Sequence, residues 1–136
     1  MKRKSTASLP NSDLFLLVYR LLIGFGMIYG HGWPKLMRLF SGQEIKFYDF
    51  LGIGPEISLG LAVFAECLMA AFVMLGLWSR WASVPVIFTM LVAALGANWN
   101  DGFQGMEKAL MYAVMFAVVL VWGPGKYALD TRFSKK

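Results

Sequence analysis

The chain is poor in the residues that most soluble chemistry needs. It holds a single cysteine, Cys67, which excludes an internal disulfide and any dithiol chemistry confined to this chain. Its only histidine is His31, so bis-histidine haem ligation is excluded, and no Cys/His spacing suggests a zinc site. Neither standard phosphate-binding glycine loop occurs, and no serine sits in a nucleophile elbow. Charge is scarce as well, at 15% of residues. A soluble domain of 136 residues could not cover its large surface with so few charged groups.

What is abundant is apolar surface. The apolar fraction is 58%, against roughly 45–50% in soluble domains. The mean hydropathy is +0.58. The length suits one domain solvated mainly by lipid. The net charge of +5 does not point to nucleic acid, because basic residues gather at the chain ends, where they act as topology signals or lipid-headgroup contacts.

Four apolar runs each approach the roughly 20 residues a helix needs to cross a bilayer. They cover residues 13–32, 57–78, 81–98 and 104–122. "WSRW" and "NWNDGFQG" separate the later spans, and "GPGK" ends the last. All five tryptophans (Trp33, Trp78, Trp81, Trp99 and Trp122) fall at span ends, where an indole keeps its ring apolar and its N–H wet. The expected fold is therefore an all-α, integral membrane four-helix bundle. Residues 36–55 are too apolar for a free loop and too short and charged to cross, so an interfacial or capping segment is expected.

Orientation follows from basic residues. Lys2, Arg3, Lys4, Arg80, Lys126, Arg132, Lys135 and Lys136 fall on one side, against Lys35, Arg38, Lys46 and Lys108 on the other. Eight against four places both termini in the cytoplasm. Arg20 interrupts the first run and no small-residue cleavage site follows it, so that run reads as a retained span rather than a signal peptide.

Ionisable groups inside spans cost roughly 2.5–3.5 kcal/mol each at mid-helix. Arg20 and Glu66 are the two clear cases, and their depths differ by about one turn. Two readings stand: an ion pair pinning the first helix to the second, or a polar mid-membrane pocket with Glu66 as proton carrier or substrate anchor. Arg20, Gly24, Met27 and His31 form one helical stripe. Pro34 is expected to break or kink the helix before Lys35 can continue it. Gly26 and Gly30 also spell GxxxG, a close-packing pattern common by chance. His31, Lys35, Asn98 and Glu107 lie at one depth, at the outer ends of three helices. Each alone is an ordinary interfacial residue; together, above Glu66, they suggest an outward-facing small-molecule pocket.

Three stretches, "RLLIGFGMIYGHGWPKL", "FAECLMAAFVMLGLWSRWAS" and "GMEKALMYAVMFAVVLVWGPGKYALD", resemble the DoxX family of small four-helix bacterial membrane proteins. The family's arginine, G-H-G-x-x-K ending, mid-span glutamate and G-P-G-basic-Y-x-L-D ending occur here in order. The resemblance implies a bacterial inner-membrane protein. It also implies an oxidoreductase assignment, taken from relatives associated with thiosulfate:quinone oxidoreduction and oxidative-stress complexes. The family's polar positions map onto Arg20, His31, Lys35, Glu66 and Glu107.

The expected function is a membrane subunit of a redox system that binds a quinone or similar molecule. Arg20, His31, Lys35 and Asn98 would bind it, and Glu66 or Glu107 would exchange protons. No resident cofactor or metal site is visible. The expected partners are the bilayer and other membrane or redox proteins, or further copies of the chain. A scaffold subunit and a small transporter using the same pocket are the alternatives.

Overall fold

The computed structural model describes residues 11–134. Lys2, Arg3, Lys4, Lys135 and Lys136, which contribute to the orientation count, lie outside them. The described chain is all-helical, with four helices long and apolar enough to cross a membrane. These are α1 (Ser12–Leu39), α2 (Pro55–Leu75), α3 (Ser79–Ala97) and α4 (Gly102–Trp122), followed by a short α5 (Leu129–Phe133). All five tryptophans are exposed, while Met27, Val73, Val86, Met90, Phe116 and Val119 fill the bundle centre.

One end of the bundle is tied by backbone capping. α2 stops at Gly76, whose positive φ of 74° suits a residue without a Cβ. The Gly76 N–H donates to the Val73 carbonyl and the Leu77 N–H to that of Phe72, the paired bonds of a Schellman ending. Arg20, wholly buried, reaches this helix end from α1. Its guanidinium donates to the carbonyl oxygens of Val73 (3.1 Å), Met74 (2.7 Å) and Tyr127 (3.2 Å). A cation at a helix C-terminus also faces the negative end of the dipole. Asp130 accepts the Trp78 and Ser79 N–H groups at the start of α3, and Asp13 accepts the Lys126 N–H. The start of α1, the α2–α3 turn and residues 126–130 therefore share this end.

These contacts replace the expected Arg20–Glu66 ion pair, which does not form. Val73 and Met74 lie seven and eight residues beyond Glu66, about 10–12 Å along α2. At that level the carbonyls of a helix end engage the two terminal nitrogens of the guanidinium, while its buried Nε has no partner among the described residues.

Near Gly30–Pro34, where a break or kink is expected, the α-helical register is interrupted but the helix does not end. α1 runs on to Leu39 through a π turn at Ile28–Gly32, in which the Trp33 N–H donates to the Ile28 carbonyl. Pro34 then falls in the first turn of the following α-helical segment. A proline there has no N–H to bond back into the π turn, so the helix runs on with one backbone bond missing, and the π turn changes which carbonyl faces the ring. The π turn also splits the polar stripe. His31 rotates towards Tyr112 of α4, its ring 5.0 Å from the phenol, while Gly32 takes the place against α2. The GxxxG pair makes no helix contact as a unit: Gly26 faces the Tyr112 hydroxyl, and nothing lies near Gly30.

Residues 40–54 fold back onto the opposite end of the bundle. The Phe50 N–H donates to Ser58 Oγ (3.0 Å), its ring meets Phe88 edge-on at 5.7 Å, and Tyr48 lies on Gly96. α3 packs on the second half of α2 and along α4, and this segment occupies the gap left where the first half of α2 diverges.

Arg20→Met is expected to lower stability by about 3 kcal/mol or more, because it strips partners from buried carbonyls. That corresponds to a fall in Tm of about 10 °C for a chain of this size. Thermal unfolding in detergent micelles measures it, and an unchanged Tm would remove Arg20 from its place as a helix cap.

Candidate functional site

The site begins with a close helix approach. At Gly32, α1 lies so near α2 that a Cβ would come within 2.9 Å of the Glu66 carbonyl oxygen. One turn later, Lys35 points across the same interface. Its Nζ lies 2.6 Å from Glu66 Oε1 and 2.7 Å from Oε2. This is the one ion pair among the described residues. Glu66 stands about 17 Å along α2 and is fully buried, whereas the Lys35 side chain keeps 22% exposure. An ammonium has three N–H donors, so with two engaged by the carboxylate one remains for another acceptor. The Phe47 ring, 5.8 Å away, flanks the same ammonium.

The pair forms part of the wall of a cavity of about 660 Å³, to which all four long helices contribute. That volume falls within the usual 300–1,000 Å³ or so of small-molecule sites. His31 and Lys35 come from α1, Ser58 and Glu66 from α2, Thr89 and Asn98 from and just after α3, and Gln104 and Lys108 from α4. Between these polar groups the wall is apolar and aromatic, including Phe47, Phe50, Phe88 and Met90. Leu61, Phe64 and Phe88 line the cavity and are also exposed on the outer surface, so it opens sideways between α2 and α3. Exposed Gln104 and Lys108 mark its opening at the end of the bundle.

Three π turns, at Ile28–Gly32, Phe64–Met69 and Ala93–Ala97, each contribute to this wall. They supply His31, Glu66 and the pair Ala93 and Ala97, respectively. A π turn inserts one residue into a helix and re-aims the side chains around it, and such turns recur at functional sites.

Of the candidates from sequence, His31, Lys35, Glu66 and Asn98 meet at this cavity. Arg20 does not, because it belongs to the capped end. Glu107 does not either; it is exposed and lies outside the lining. α4 instead presents Gln104, Gly105, Lys108 and Ala109, at the i, i+1, i+4 and i+5 spacing of one face, from whose centre Glu107 lies about 130° away. Lys108 and Gln104 were readable only as a charge and a polar residue near a span start, since nothing in a single sequence fixes the rotation of α4. Among the described residues no three His, Cys, Asp or Glu side chains converge as a metal site would require.

Fold and site together define a polytopic α-helical membrane protein with a buried ion pair facing a cavity. The sequence profile of DoxX matches residues 15–99, more than half of the chain, and the chain belongs to the DoxX family. It is similar to an uncharacterized membrane protein of Mycobacterium tuberculosis, at 29% identity over 145 aligned residues, covering 89% of this chain and 82% of that protein. No solved structure matches. The profile match contains both members of the ion pair, and α4 lies outside it.

Lys35→Met leaves the Glu66 carboxylate buried without its partner and is expected to cost about 3–5 kcal/mol. Glu66→Met should cost less, because the partly exposed lysine can turn its ammonium towards water. The double substitution should be markedly more stable than the sum of the two losses implies. A double-mutant cycle on unfolding in detergent tests this, and additive losses would mean the two charges are not coupled.

Proposed function

We propose that this chain is the quinone-binding membrane subunit of a redox system, its ligand being a quinone or a similar lipid-soluble molecule with carbonyl oxygens. The observation that carries this reading is the Lys35–Glu66 pair, set in a mainly apolar cavity wall that opens between α2 and α3. A quinone has the matching form: an apolar body that partitions into the bilayer, and carbonyl oxygens that accept hydrogen bonds. The free N–H of Lys35 and the His31 ring donate to a carbonyl oxygen, while Glu66, held by Lys35, exchanges a proton with it. Reduction of a quinone to a quinol consumes two protons and two electrons. A partner redox protein supplies the electrons. On the same reading the protein sits in a bacterial inner membrane with both termini in the cytoplasm, so the cavity opens on the outer side.

The transporter alternative has a specific obstacle. Away from the cavity lining, Met27, Val73 and Phe116 are fully buried, and passage would require that core to part.

A short-chain benzoquinone added to protein in detergent should raise its Tm, approaching about 2.7 kcal/mol of stabilisation at a hundredfold excess over Kd. Ala97→Phe, which places a ring on an exposed part of the cavity wall, should abolish the shift while leaving the unliganded Tm nearly unchanged. Absence of any quinone-dependent shift in the unsubstituted protein would sink the reading.

A further inference from the structure

The cavity wall carries more positive than negative charge. Lys35 and Lys108 stand on it as cations and Glu66 is its one carboxylate. Both Glu66 oxygens are engaged by Lys35. Lys108, arriving from α4, has no carboxylate within ion-pair distance among the described residues. Its neighbour Glu107 lies off the lining and does not compensate it. Asn98 and Gln104 add neutral amide donors at the bundle-end opening.

An uncompensated ammonium beside an apolar chamber favours a ligand that brings its own negative charge. A neutral quinone satisfies the free N–H of Lys35 but leaves Lys108 facing only water. An ionised oxygen brings the negative charge that Lys108 lacks, and a low-dielectric wall strengthens that attraction relative to bulk water. The lining combines aromatic rings with ammonium groups, so it offers contacts to an apolar body as well as to an anion. We propose that the preferred ligand is an apolar ring system bearing one ionised oxygen, as in a hydroxyquinone, with its anion held between Lys108 and Lys35. This rests on the quinone reading above and narrows it to the acidic members of that class.

Two matched ligands separate the two claims. At neutral pH 2-hydroxy-1,4-naphthoquinone is an anion, whereas 2-methoxy-1,4-naphthoquinone has nearly the same body and no charge. Calorimetric titration of the full chain in detergent at low salt should give at least about tenfold tighter binding of the anion, a difference of about 1.4 kcal/mol. Lys108→Gln, at an exposed position, should bring the two affinities within about twofold by weakening only the anion. Lys108→Arg should retain the preference, and added salt should reduce it. Equal affinities in the unsubstituted protein would overturn the acidic-ligand inference and leave quinone binding standing. Binding of neither ligand would overturn both. An anion preference that survives Lys108→Gln would overturn the assignment of the anion to Lys108.

Discussion

A carboxylate fully buried at mid-bilayer must be neutralised, and much of this structure can be traced to how Glu66 meets that demand. Its partner is on another helix, at a position that α1 reaches only by continuing past Pro34. The continuation uses a π turn, which changes which carbonyl faces the proline ring and rotates Gly32 onto α2. Gly32 then permits the approach that brings Lys35 within hydrogen-bond distance of both carboxylate oxygens. Remove any of these features and the charge on Glu66 stands alone in an apolar surrounding, where it is very costly.

The three intramembrane charges Arg20, Lys35 and Glu66 are accommodated in different ways, and the difference separates the packed end of the bundle from the cavity. Arg20 meets backbone carbonyls at the end of α2 and in the segment after α4, so its contacts close the fold on itself. It fills its surroundings and lines no cavity. Lys35 and Glu66 satisfy one another while keeping a face towards open volume. A salt bridge in such a position leaves an N–H unspent and a carboxylate within reach of a guest, which a fully packed pair would not.

The bundle is legible in the sequence because its signals are local. Long apolar runs, punctuating Gly and Pro residues and the interfacial tryptophans all act within a few residues of where they stand. The meeting of His31, Lys35, Asn98 and Glu66 is legible to the extent that depth along a helix follows residue count. Rotation about the helix axis is not legible in the same way. Glu107 and Lys108 are adjacent in sequence, and only the packing of α4 decides that Lys108 meets the cavity. The Arg20–Glu66 pairing fails for a related reason: depth alone ignores the carbonyls a helix end leaves free, a nearer partner for a guanidinium than any carboxylate. Pro34 misleads because the rule against interior proline assumes an unbroken α-helical register, which the π turn has already altered.

The cavity joins two kinds of wall. One is the Lys35–Glu66 pair within the family-matched α1–α3 region, where loss of Lys35 leaves a buried charge and endangers the fold. The other is the face of α4, where Gln104 and Lys108 are exposed and hold no internal partner among the described residues. A change at Lys108 leaves no charge stranded, so it alters the charge seen by a ligand at little structural cost. On the proposed reading, affinity for a polar oxygen is tied to folding, while discrimination by ligand charge resides in a side chain whose loss strands no buried charge.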